Sequence, residues 1–114
     1  MHEVGTVLHV IRAVEDICME NELTEVSSVS LEIGEVSGIL PEFLLDCWQW
    51  AIRQTEHMKQ AELKIEPVEA VTLCQACQCE YPTVTYAKIC PHCGSDRTFL
   101  LRGNEYNLKE IEAR

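Results

Sequence analysis

Apolar residues in the first part of the chain recur at steps of three and four. Val4, Val7, Leu8, Ile11, Val14 and Cys18 line one side, and Gly5, His9, Arg12, Asp16 and Glu20 line the other, which predicts an amphipathic helix over residues 4–22. Met1, His2 and Glu3 therefore stand at a helix entrance. Asn21 to Glu25 break the pattern, and Val29, Leu31 and Ile33 then alternate with Ser28, Ser30 and Glu32, as in a half-buried strand. Gly34 to Gly38 turn the chain. Pro41 and Glu42 suit the first turn of a second helix, where a missing amide donor is harmless and an acid complements the dipole. The stripe Leu44, Cys47, Trp48, Ala51 carries that helix to about Met58, with Asp46, Gln49, Arg53 and Glu56 facing water. Ala61, Leu63 and Ile65 alternate next, predicting a second strand that runs past Pro67 toward Leu73. Strand, helix, strand in that order favours a parallel pair. Gly103 opens a last alternating stretch with Tyr106 and Leu108, and Ile111 displaced by a bulge, read as a third strand returning to the first sheet.

The segment between these strands has a different logic. It reads Cys74-Gln-Ala-Cys77, twelve further residues, then Cys90-Pro-His-Cys93 followed by Gly94. Two residues between thiolates let each pair close a tight knuckle on one ion, and two knuckles supply the four soft ligands of a tetrahedral zinc. Iron in the same sulfur cage is the second reading, since four-thiolate tetrahedral geometry does not separate the two metals. The expected fold class is thus α+β: a small three-stranded mixed sheet with two helices, plus an inserted zinc-ribbon-like domain. Residues 1–73 and 103–114 make a discontinuous α/β domain, and residues 74–102 make the ribbon.

Composition narrows the function. The chain has 114 residues, 46% of them hydrophobic, which suits a small globular protein. Its 19 acidic and 9 basic residues give a net charge of −10, a surface that repels nucleic acid. Residues 74–102 carry only Lys88, Arg97 and Arg102 as bases against Glu80 and Asp96, so a ribbon acting on nucleic acid is the weaker reading. No apolar run approaches the roughly 20 residues of a membrane span, and no secretory pattern opens the chain. Seven cysteines, an odd number arranged largely as CxxC pairs, fit metal binding in a reducing cytoplasm better than a secreted disulfide scaffold. No nucleophile–base pair or phosphate-binding glycine loop stands out, so the expectation is a binding protein, not an enzyme.

Several single residues could carry chemistry. A terminal amine on Met1, the amide nitrogen of His2 and its imidazole Nδ1 can close two fused chelate rings on one ion, a nitrogen-rich set suited to Ni(II) or Cu(II). On spacing alone, a histidine at position 2 is more often an ordinary surface residue. The fourth position falls to the Glu3 amide, its carboxylate or a partner's group. Glu3 is also a plain stabiliser of the helix dipole, by about 0.3–1 kcal/mol. Cys79 either replaces Cys77 in the cage, sits beside it, or is merely a small residue. His92 lies between the second pair of cysteines and reads as exposed. His9, seven residues beyond His2, stands roughly 10 Å up a helix axis and too far to share an ion. His57 suits a helix C-terminus, Cys18 and Cys47 read as core residues, and Trp48 and Trp50 as packing and edge residues.

The opening Met1-His2-Glu3 leading into a helix, the strand and turn Leu31-Glu-Ile-Gly34-Glu-Val-Ser-Gly38, the paired CxxC motifs and the closing Gly103-Asn-Glu105-Tyr-Asn-Leu-Lys-Glu-Ile111-Glu112 together resemble the HypA/HybF family of nickel metallochaperones. The resemblance covers essentially the whole chain. It implies Ni(II), as cargo, at His2 and the Met1 amine with Glu3 beside them, and structural Zn(II) at Cys74, Cys77, Cys90 and Cys93. It also implies delivery of nickel to the large subunit of nickel-iron hydrogenase alongside the GTPase HypB, by a cytoplasmic monomer or homodimer.

Overall fold

The computed structural model describes residues 2–114, with His2 described through its backbone alone. Helix α1 (His2–Glu20) is followed by β1 (Val26–Gly34), α2 (Pro41–Ala51), β2 (Glu62–Val68), β3 (Val71–Cys74), β4 (Glu80–Pro82), the helical turn α3 (Thr83–Tyr86), β5 (Thr98–Arg102) and β6 (Tyr106–Ala113). The strands form two three-stranded sheets, ordered β2-β1-β6 and β4-β3-β5. In the first, β1 runs parallel to β2 and antiparallel to β6, with a register shift in β6 opposite Ser30 and Leu31, so the mixed sheet and the expected bulge are both present. The second sheet is wholly antiparallel. The α+β class with two main helices and an added cysteine-bearing ribbon is what the residue pattern predicts.

One core holds α1, α2 and the first sheet together, with Val7, Val14, Val29, Leu31, Leu44 and Trp48 almost wholly buried. Trp48 buries its ring, a contribution of at least 1.5–3 kcal/mol by the usual area arithmetic (~25 cal/mol per Å²), and its indole N–H donates to the Ala61 carbonyl at 2.9 Å. The ribbon has a separate small cluster of Cys74, Tyr81 and Cys90. The radius of gyration is 17.7 Å and the extents are 55 × 26 × 16 Å; a single compact globule of this length would have a radius of about 13 Å. The two cores therefore lie along an elongated body.

The strands that enter and leave the ribbon pass beside Gly34 at the end of β1. A Cβ on Gly34 would lie 2.1 Å from the Gly103 carbonyl oxygen, and one on Gly103, at φ +114°, would lie 2.3 Å from the Ala70 Cα. Backbone amides of Gly34 and Val36 donate to the carbonyls of Glu105 and Gly103, each at 2.8 Å, and the Ala70 amide donates to the Glu35 carboxylate at 2.9 Å. No side chain fits at Gly34 or Gly103 in this crossing.

Four expectations need correction. Helix α1 spans residues 2–20, and its buried face is Val7, Val10, Val14 and Cys18. Val4 and Leu8 are exposed beside Cys47 and Trp50 of α2, because α1 turns its inner face to the sheet and meets α2 only along its flank. Helix α2 ends at Ala51 with a 3-10 turn to Gln54, short of Met58. There the Thr55 hydroxyl donates to the Ile52 carbonyl at 2.7 Å and accepts the Met58 amide at 3.2 Å, competing with the helical ladder. The second strand stops at Val68, and Val71–Cys74 pairs in the other sheet. His57 does not sit at a helix end. Its ring Nδ1 pairs with the Glu15 carboxylate of α1, which also accepts the backbone amides of Glu56 and His57 at 3.2 Å each.

Candidate metal centres

The four sulfurs of Cys74, Cys77, Cys90 and Cys93 all lie within 4.8 Å of one another. Cys74 and Cys93 are 3.6 Å apart, as are Cys77 and Cys90. A disulfide would bring sulfurs to about 2.05 Å, whereas a tetrahedron with metal–sulfur bonds of about 2.3 Å has edges of about 3.8 Å. The donor set and its spacing thus fit one tetrahedral ion, zinc among them.

Each knuckle is built the same way. After Cys77, Gln78 adopts φ +64°, and after Cys93, Gly94 adopts φ +75°. The Gln78 amide donates to the Cys74 carbonyl at 2.8 Å, and the Gly94 amide to the Cys90 carbonyl at 2.9 Å. One residue further on, the Cys79 carbonyl accepts the Cys74 amide at 2.9 Å, and the Ser95 carbonyl accepts the Cys90 amide at 3.0 Å. Amides also point at sulfur: His92 N–H donates to Cys90 Sγ at 3.4 Å. The left-handed residue folds the chain back so that backbone donors face the thiols, where glycine is unstrained and glutamine is less so. His92 itself is exposed.

These donors divide the thiols. The Cys77 amide holds the Cys74 thiol down from its usual 9.0 to about 7, with burial working against it and the Cys93 thiol adding to it. At Cys77 the amide of Cys79 pulls downward, but burial and the thiols of Cys90, Cys79 and Cys74 outweigh it and push the group up. Cys93 is likewise raised: the Ser95 amide lowers it, and the Cys74 thiol and burial overcome that. One thiolate forms readily, and the next must form beside it. A divalent cation removes that penalty by sharing all four.

At the other end of the chain, the Met1 expectation and the His2 side chain lie outside the described residues, while the His2 backbone opens α1. Glu3 is 9% exposed, and its carboxylate accepts the Leu40 amide at 3.1 Å at the entrance to α2. Leu40 caps α2 with no side-chain hydrogen bond of its own, so the carboxylate of α1 supplies negative charge where the α2 dipole wants it. Sequence periodicity missed this contact because it joins residues 37 apart. Of the remaining candidates, His9 is exposed, Cys18 is fully buried and Cys47 half-buried, as core positions should be, while Trp48 is buried and Trp50 exposed. Burial, and then the nearby Glu15 carboxylate, raise the Cys18 thiol, which makes it inert.

Among the described residues no helix is long and apolar enough to cross a membrane. A family model for hydrogenase/urease nickel incorporation, metallochaperone, hypA, matches residues 1–113. The chain is 34% identical over 113 residues to the hydrogenase maturation factor HypA of Geotalea uraniireducens, covering 98% of each, and 37% identical over 112 residues to that of Geotalea daltonii, covering 97% of each. In fold it is similar to the solution structure of the nickel metallochaperone HypA from Helicobacter pylori, with a TM-score of 0.73 at 22% identity over 97% of this chain and 96% of that one. Another HypA solution structure gives a TM-score of 0.77 at 23% identity, covering 100% of this chain and 97% of the other. With a match that runs through both the amino-terminal helix and the four-cysteine ribbon, the chain belongs to the HypA family of nickel metallochaperones for hydrogenase maturation.

Proposed function

We propose that this chain binds Ni(II) at a free amino terminus, through the Met1 amine and the amide and imidazole of His2, and passes it on by ligand exchange during maturation of nickel-iron hydrogenase. The recipient is the hydrogenase large subunit and the working partner is the GTPase HypB, in the cytoplasm, with neither nucleic acid nor membrane involved. Cys74, Cys77, Cys90 and Cys93 hold a structural Zn(II), which supplies shape and leaves no open coordination position for hydrolysis. Residues 1–73 and 103–114 form the nickel-handling domain and residues 74–102 the ribbon, with β3 as the strand that leads from one into the other. Glu3 fastens the first turn of α1 to the start of α2 through its carboxylate, and the fourth nickel position falls to its backbone amide, its carboxylate or a partner's group.

The observation that supports this reading most is the family match over residues 1–113, which contains both donor sets in one chain. Calorimetric titration of nickel into the untagged protein, into His2→Ala, and into protein carrying extra residues ahead of Met1 tests it. Nickel binding is expected to disappear in both altered forms with zinc content and circular dichroism unchanged. Equal affinity in all three proteins would refute the terminal site.

A further inference from the structure

We propose that the free edge of β5 takes up an extended, acidic segment of a partner protein as an added strand, with a carboxylate of that segment held by Lys88. Among the described residues the two sheets end in the edge strands β2, β6, β4 and β5. An open edge invites pairing with another chain, and proteins blunt it with charge, proline or a very short strand. Strand β2 carries Lys64 and Pro67, β6 carries Lys109 and Glu110, and β4 has 3 residues and ends in Pro82. Strand β5 lacks these devices. Its sequence Thr98-Phe-Leu-Leu-Arg102 has a charge only at its last position, and Phe99 and Leu101 are 43% and 39% exposed.

Beside this strand runs an apolar groove of about 440 Å³, lined by Val36, Val84, Ala87, Phe99 and Leu100, with Lys88 as the charged residue among them. Thr98, Phe99 and Leu100 line it in succession, so it takes in the backbone of β5 and not one face alone. Its ends are fixed by hydrogen bonds: the Thr98 hydroxyl donates to the Lys88 carbonyl at 2.8 Å, and past the other end of β5 the Val36 amide donates to the Gly103 carbonyl at 2.8 Å. A strand laid along β5 has Lys88 at one end and Val36 at the other, and its alternate side chains enter the groove. Charge selects the occupant. Lys88 and Arg97 are exposed and have no carboxylate partner among the described residues. In a chain of net charge −10, an acidic segment is repelled by most of the surface and attracted here. A second copy of the chain fits poorly: pairing β5 with itself antiparallel sets Arg97 of one copy against the Arg102 end of the other, base against base. An extended segment with apolar residues and at least one acid meets both the groove and the cation.

A phage-displayed library of random peptides about eight residues long is selected against the full chain, and the strongest binder is labelled with fluorescein and titrated by anisotropy. The selected sequences are expected to alternate apolar residues and to carry acids. Lys88→Glu should weaken binding by about tenfold or more, Phe99→Ser should weaken it as well, and a proline at the centre of the peptide should abolish it by removing a ladder donor. Hydrogen exchange of the amides at residues 98–102 should slow on binding, which a peptide held by side chains alone would not produce. This measurement and the proline peptide use the parent chain, so they decide the matter even where a variant unfolds. The proposal is overturned if no selected peptide binds, if a folded Lys88→Glu protein binds as tightly as the parent, or if exchange at residues 98–102 does not change in the complex. It is also overturned if sedimentation shows the parent to dimerise and Phe99→Ser to be a monomer, since a second copy would then be the occupant.

Discussion

A carboxylate in the first turn of a helix ordinarily serves the dipole of its own helix, but Glu3 of α1 reaches the Leu40 amide at the mouth of α2. The contact anchors the residue next to His2 and makes the geometry of the amino terminus depend on a second helix. Glu3→Ala is expected to cost about 1 kcal/mol of stability in urea unfolding, the usual value of a lost cap, and to weaken nickel binding. Glu3→Gln keeps an oxygen acceptor for Leu40 and should retain nickel binding close to the parent. If Gln and Ala lower nickel affinity alike, the carboxylate itself is a ligand and the anchoring role is wrong. This double duty was hidden in the sequence, since a first-turn acid looks the same whichever helix it serves. The four-cysteine cluster was legible for the opposite reason: two-residue spacing is a local constraint, and the Gln78 and Gly94 turns that complete each knuckle follow directly after it.

Elements differ in how far their limits are written locally. The alternation of β1 survives in the structure because one face meets the helical core, while Ser28 and Ser30 lie buried on the other under the longer side chains of β2 and β6. The end of α2 was not legible, because Thr55 stops the helix through its hydroxyl while the apolar pattern continues to Met58. In α1 apolar residues occupy more than one face, so the choice between Val10 and Leu8 as the inner position is made only by the sheet. Across the first sheet, Glu112 of β6 accepts the Ser28 hydroxyl of β1 at 2.6 Å and the Lys64 ammonium of β2 at 2.9 Å, tying all three strands. The Ser28 hydroxyl, and then Lys64, hold the Glu112 carboxyl below the ordinary carboxylate range. A lowered value means that this contribution is complete above the ordinary range and is lost as pH falls through the lowered one. The stability difference between the parent and Glu112→Gln, measured by urea unfolding, should therefore be largest at neutral pH and shrink as the pH falls below the ordinary carboxylate range. A gap that stays constant with pH would show that Glu112 titrates as an isolated acid.

On the scale of the whole molecule, the two sheets are joined where Gly34, Ala70 and Gly103 meet backbone to backbone. Gly103→Ala places a methyl group into Ala70 and forces a residue with a Cβ to φ +114°, a strain of about 1–3 kcal/mol before the collision is counted. A loss of at least about 2 kcal/mol in urea unfolding is expected, with zinc content unchanged. Gly5→Ala is the companion measurement: nothing lies within 4 Å of its Cβ position in α1, so it should stabilise by about 0.5–1 kcal/mol. If Gly103→Ala behaves like Gly5→Ala, the crossing is looser than described.

Strand β6 is made last, and it completes a sheet whose other two strands precede the ribbon. Between Val68 and Tyr106 lie 37 residues, and the pairing of Val71 with Arg102 pinches them off near their ends. A closed ribbon thus shortens the span β6 must bridge from 37 residues to a few at each side, saving about 1.5 kcal/mol of loop-closure entropy. Closure of the ribbon, which a metal ion held by its four cysteines would favour, and the arrival of the final strand on the first sheet are in this way one assembly problem.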